Sequence, residues 1–146
     1  MEIITQIITN KYIYLCLGTW FFIQLSKVII ELIKTKKLNF KRILGAGGMP
    51  SSHSAVVCCL ASLIGRDYGF DSSIFAMALV FAFIVMYDAA GVRRAAGKQA
   101  KLLNKIVETP GLTSVQVQEK LVEVLGHTPK QVLVGAILGF TIGGIL

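Results

Sequence analysis

His53 and His127 are the only histidines in this sequence, and each sits where a helix is about to begin. Residues 47–55 read GGMPSSHSA and residues 126–131 read GHTPKQ. In the first string Gly47 and Gly48 let the backbone take shapes closed to other residues and let a ligand approach the chain. Pro50, Ser51 and Ser52 then mark a helix start, as Thr128 and Pro129 do in the second string. A helix start carries unpaired N–H groups and the positive end of the helix dipole, which suits phosphate or another anion. Histidine exchanges protons near neutral pH, and its ring nitrogen can also attack phosphorus. A third string, YDAAGVRRAAGKQA at 87–100, adds Asp88, Arg93 and Arg94. Arginine binds phosphate through two parallel hydrogen bonds. Taken singly, each string reads as a plain loop-to-helix junction or an interfacial anchor. Together they predict an anion site.

The elements that must position these residues are apolar. Hydrophobic residues make up 54% of the 146, charged residues 16%, and the mean hydropathy is +0.68, whereas soluble domains carry about 25% charged residues. Too few polar residues remain to cover a water-soluble surface, so the net charge of +7 points to a membrane rather than to nucleic acid. A nucleic-acid-binding fold would also need basic residues interleaved with aromatic ones on an exposed face. Four apolar segments stand out, at 12–33, 54–64, 73–87 and 132–146. Only the first approaches the roughly 20 residues of a full crossing, so the rest are predicted as short or tilted spans that meet in the membrane. The segment 99–125 has apolar residues at helical spacing with a polar opposite face, broken at Thr109-Pro110-Gly111. It is predicted as two amphipathic helices on the cytoplasmic surface or packed on the bundle.

The fold class is therefore all-α: a small integral membrane helical bundle, with about four apolar helices plus cytoplasmic amphipathic helices. It forms a single domain over 1–146, with a basic loop at 34–52. Charge supplies the orientation. If all four segments cross, thirteen of the fifteen lysines and arginines fall on one side, leaving Lys11 and Arg66 on the other. Basic residues near span ends stay cytoplasmic, which predicts a multi-pass protein with both termini outside and both histidines on the cytoplasmic face. The N-terminal MEIITQIITN lacks the basic start and the cleavage site of a secretory signal. Cys16, Cys58 and Cys59 sit in apolar runs without metal-ligand spacing and read as packing residues. No carboxylate-histidine cluster calls for a metal or another cofactor.

PSSH at 50–53 resembles the PSGH motif of the type-2 phosphatidic acid phosphatase and vanadium-dependent haloperoxidase superfamily. The strings GGMPSSHSA, DAAGVRRAAGKQA and GHTPKQVLVG are similar to its divergent branch of small bacterial and plant membrane proteins, and the likeness spans residues 20–146. The resemblance implies a phosphatase-like hydrolase of lipid phosphates or lipid diphosphates that works through phosphohistidine. His127 would be the nucleophile and His53 the acid that protonates the leaving group. Ser51 would contact phosphate and Ser52 would offer its N–H. Lys27, Lys41, Arg93 and Arg94 would hold the phosphate. Phosphate or vanadate would bind the same place.

The sequence also departs from the superfamily. More than thirty residues separate Arg93 and Arg94 from His127, where the superfamily has a short spacer. Gln131 stands where an acidic residue orients the nucleophilic histidine, and Asp88 or Glu123 could substitute for it. The superfamily's motif of a lysine and an arginine-proline pair is absent. With Gln131 in place, the same pocket could instead bind a lipid phosphate or inorganic anion without turnover. Short spans also make a homo-oligomer plausible.

Overall fold

Side chains cap the starts of four helices in this computed structural model, which describes residues 2–36, 48–109, 121–122 and 126–146. Asn10 Oδ1 accepts from the Tyr12 N–H at 3.0 Å, Ser51 Oγ from Ser54 N at 3.3 Å, Ser72 Oγ from Phe75 N at 3.2 Å, and Thr128 Oγ1 from Gln131 N at 3.4 Å. Each cap satisfies a donor that the first helical turn leaves without a partner. A short α1 (Glu2–Ile8) precedes α2 (Lys11–Thr35). Then come α3 (Ser52–Tyr68), α4 (Ser73–Ala90), α5 (Val92–Glu108) and α6 (Pro129–Ile145). Among the described residues the secondary structure is entirely helical.

The four predicted apolar segments fall on α2, α3, α4 and α6. Two helical stretches, Lys11–Thr35 and Ser73–Glu108, are long and apolar enough to cross a membrane. Helices α3 and α6 have 17 residues each, short of the ~20 of a full crossing. Residues 92–98, between the third apolar segment and the predicted amphipathic stretch, form the start of α5. Gly91 separates α5 from α4 by a single residue with φ −99° and ψ −88°. The amphipathic helix therefore starts at Val92 rather than at residue 99, and ends at Glu108, next to the predicted break. Its predicted successor falls largely within 110–120 and 123–125, outside the described residues.

Helix α3 is the axis on which α2, α4 and α6 pack. Helix α2 runs antiparallel to it. At one end the Tyr12 hydroxyl donates to Asp67 Oδ2 at 2.6 Å; midway the Thr19 hydroxyl donates to Cys59 Sγ at 3.3 Å; at the other end Lys27 Nζ donates to Ser52 Oγ at 3.3 Å. Helix α4 is also antiparallel to α3, with Phe75 beside Gly65 and Met86 beside Cys58. Helix α6 runs parallel. Its Gly135, Gly139 and Gly143 face Ser51, Ala55 and Cys59 in turn, so close that a Cβ on any of the three would collide with a backbone carbonyl of α3. Glycines every fourth residue are how two membrane helices bring their backbones together. Between α3, α4 and α6, Val57, Cys58, Ala82 and Ala136 form the buried apolar cluster.

These directions bring the C-terminal ends of α2 and α4 together with the N-terminal ends of α3, α5 and α6. Lys27, Lys34, Lys36, Arg93, Arg94 and Lys130 lie at that end, and Lys11 and Arg66 at the other. The outer faces of the bundle are apolar: Phe21 and Phe22 on α2, Met77 and Phe83 on α4, and Leu133 and Ile137 on α6 are all more than half exposed. A soluble monomer does not present so much contiguous apolar surface.

Candidate active site

Because α3 and α6 are parallel and locked in register by their glycine contacts, their N-terminal turns lie side by side. Ser51 N donates to the Gln131 carbonyl at 3.1 Å, tying the two turns together. The rings of His53 and His127 consequently stand 5.8 Å apart, edge to face at 79°. A third strut fixes His127, whose backbone N–H donates to the Ala89 carbonyl at the end of α4, at 3.0 Å. Gly126 packs against the backbone of Arg93 and Arg94 so tightly that no side chain would fit there. The loop before α6 is thereby wedged against the start of α5.

His127 is 1% exposed, and neither ring nitrogen has a hydrogen-bond partner among the described residues. A buried polar group normally has one. Burial pushes its pKa down from 6.5 to about 4, with the charges of Lys27, His53 and Arg93 acting in the same direction. The imidazole is thus neutral at physiological pH, with a lone pair on one nitrogen. His53 sits beside it at the first turn of α3, its Nδ1 also without a partner. The Arg93 guanidinium has only N–H groups to offer, so the long 3.5 Å contact between its Nη1 and His53 Nε2 has the histidine accepting.

The cations approach from two sides. Lys27, 3% exposed, enters from α2 and donates to Ser52. An ionisable side chain buried in such a bundle is costly, which makes its surroundings a candidate site. Arg93 enters from α5, and its Nε donates to Asp88 Oδ2 at 2.6 Å. Beside Lys27 a cavity of about 370 Å³ opens between the end of α2 and the start of α6, lined by Glu31, Lys34, Gly48, Met49 and Gln131 among others.

The structure places the sequence-predicted residues unequally. His53, His127, Lys27, Ser52 and Arg93 come together, although 24 residues lie between Lys27 and Ser52, 39 between His53 and Arg93, and 33 between Arg93 and His127. Ser51 is fully buried, and its oxygen takes the Ser54 N–H and the Ser54 hydroxyl, so it acts as the α3 cap. Gln131 lines the cavity, yet its Oε1 accepts from Thr128 N at 2.8 Å, completing a capping box. That carbonyl therefore does not orient His127. Asp88 holds Arg93 rather than either histidine. The Arg94 side chain is exposed and contacts neither ring among the described residues. Lys41 and Glu123 lie outside the described residues. Sequence reasoning did not place Glu31 and Lys34 beside the cavity, although their spacing from Lys27 puts all three on one helical face. It also missed Gly126, whose role depends on a contact invisible in one dimension. Among the described residues no three of His, Cys, Asp and Glu gather as a metal-ligand set.

The chain matches the model of the divergent PAP2 family over residues 8–142. It is 38% identical over 152 residues to YuiD of Bacillus subtilis (strain 168), an uncharacterized membrane protein, in an alignment covering 97% of this chain and 96% of the relative. No solved structure matches it.

Proposed function

This chain belongs to the divergent PAP2 family, and from that premise we propose that it is a multi-pass membrane hydrolase of lipid phosphates or lipid diphosphates acting through a phosphohistidine. The observation that carries the reading is the pair of histidines at two parallel helix starts, one buried, neutral and without a hydrogen-bond partner. A neutral imidazole has the lone pair that attack on phosphorus needs. The substrate phosphate enters among Lys27, Arg93 and the N–H groups of the α3 start. These charges offset the negative charge that gathers on the equatorial oxygens in the transition state.

In the chemical step a His127 ring nitrogen bonds to phosphorus as the bond to the lipid oxygen breaks. Protonated His53 gives its proton to that oxygen, so a neutral alcohol leaves, or a phosphomonoester when the substrate is a diphosphate. In the empty site Arg93 faces His53 Nε2 and disfavours a proton there. A phosphate dianion draws the Arg93 N–H groups to itself and favours protonation of His53. Water then attacks phosphorus from the vacated side, with His53 as base, and releases inorganic phosphate and His127. The charge asymmetry of the bundle ends supports a cytoplasm-facing site, since the crowded end holds Lys27, Lys34, Lys36, Arg93, Arg94 and Lys130.

A second reading is that the site binds a lipid phosphate or a free anion without turnover. It is favoured by Gln131, whose carbonyl is committed to the Thr128 N–H and leaves His127 with no acceptor to stabilise its positive charge after attack. The purified full chain in detergent, offered a panel of lipid phosphates, separates the two. Turnover predicts phosphate release and an acid-labile phosphoenzyme in the parent, neither in His127→Ala, and a rate lower by roughly 10²–10⁴ in His53→Ala for an alcohol leaving group. Equal phosphate release from the parent and His127→Ala refutes the enzymatic reading of this site. A silent parent made active by Gln131→Glu supports the binding reading.

A further inference from the structure

Helix α5 has three faces, and only Arg93 in its first turn reaches the histidines. One face carries Gly97, Ala100 and Asn104 at spacings of three and four; it is buried. Asn104 holds that face down by pairing with the backbone of Leu121, donating from Nδ2 to the carbonyl at 2.9 Å and accepting at Oδ1 from the N–H at 3.0 Å. A second face carries Arg94, Lys98, Lys101 and Lys105, all exposed. The third carries Val92, Leu102, Leu103 and Ile106, exposed by 63%, 60%, 50% and 39%. At 100° per residue the basic and apolar faces adjoin on the side turned away from the protein. The main helix neighbour of α5 is α4, which it leaves at the Gly91 corner.

We propose that α5 lies in the headgroup layer of an anionic leaflet. Val92, Leu102, Leu103 and Ile106 enter the acyl boundary, and Arg94, Lys98, Lys101 and Lys105 meet lipid phosphates. A helix that sets an apolar stripe beside a basic one, at the charged end of a membrane bundle, fits that layer. Charge complementarity selects the occupant. The anionic surface attracts all four cations, whereas a two-fold contact with a second copy would set the same basic face near itself. The seat is coupled to the histidines, because the first turn of α5 also carries Arg93. Anionic lipid thereby holds Arg93 at His53, whether or not the site turns over.

The test uses the full chain with Trp20→Phe and a single reporter, Leu102→Trp, in bilayer nanodiscs of phosphatidylcholine with brominated acyl chains, with and without phosphatidylglycerol. A second reporter, Ile106→Trp, guards against a local effect of the first. The expected result is bromine quenching of both reporters that is much stronger with phosphatidylglycerol. The triple variant Lys98→Gln, Lys101→Gln, Lys105→Gln loses that dependence, since each charge changes the docked-to-undocked ratio by about fivefold and three change it by about 100-fold. Unquenched reporters at every lipid composition overturn the proposal. So does quenching that is indifferent to both phosphatidylglycerol and the triple variant. Unquenched emission that shifts to the blue with protein concentration would assign the face to a second copy. The readout needs no catalysis, so an inactive phosphatase site leaves the outcome unchanged.

Discussion

Lowering the pH should destabilise this protein through His127 in a window set by its burial. In the unfolded chain the imidazole takes a proton near its ordinary value of 6.5; in the folded chain it does so only near 4. Between these values the unfolded state binds more protons than the folded state, so stability falls as pH drops from 6.5 to 4 and levels off on either side. At about 1.4 kcal/mol per pH unit, the full window is worth about 3 kcal/mol. In a chain of this size that corresponds to roughly 10 °C of melting temperature. The assay is thermal unfolding of the full chain in a mild detergent, followed by tryptophan fluorescence at half-unit steps from pH 7.5 to 3.5. His127→Asn carries no titratable ring and should remove the His127 share of the slope, leaving the smaller contribution of His53, whose pKa burial and the Arg93 charge also lower. A parent whose melting temperature is level from 6.5 to 4, or an Asn variant that keeps the parent's slope, refutes the argument that burial holds His127 neutral.

Two further outcomes test the rest of the site. Vanadate should raise the melting temperature of the parent, because a ligand that binds only the folded state stabilises it. Arg93→Ala should remove that protection and Arg94→Ala should retain it, as only Arg93 approaches His53; the same comparison in phosphate reads the site with a weaker anion. Gly139→Leu should cost at least about 1–3 kcal/mol by overpacking the α3–α6 contact, and it should abolish vanadate protection even where the protein still folds, which a melting series with and without vanadate would measure.

The histidine pair was legible in the sequence because both rings stand at helix starts that serine, threonine and proline announce. The apolar segments were legible because their length and charge pattern need no tertiary information. Two features lay in the sequence without being read. Gly135, Gly139 and Gly143 recur every fourth residue, the pattern of a close helix contact, and they make α3 and α6 parallel neighbours. Thr128 and Gln131 have the spacing of a capping box, and that local bond wins over any longer-range task for the Gln131 carbonyl. Other features were not legible at all. The short α1 mixes Glu2, Thr5 and Gln6 with its isoleucines and has no buried face, so no core-facing stripe marked it. The choice of Arg93 over Arg94 follows from how α5 leaves Gly91, and adjacent residues on a helix point about 100° apart. Lys27 was picked out by resemblance, but its burial against Ser52 depends on the antiparallel seating of α2.

The glycine contacts between α3 and α6 make the geometry of the histidines quantised. Sliding one helix along the other to the next glycine seat moves it by four residues, about 6 Å, a step as large as the 5.8 Å that separates the rings. Intermediate positions would put glycine-bearing grooves against side chains they cannot hold. The distance between His53 and His127 is therefore not a dial that small backbone changes can turn; it has one setting and then the next. Variation that adjusts chemistry here must come from side chains fixed to other helices, Lys27 on α2 and Arg93 on α5. Each of these can shift without disturbing the α3–α6 register.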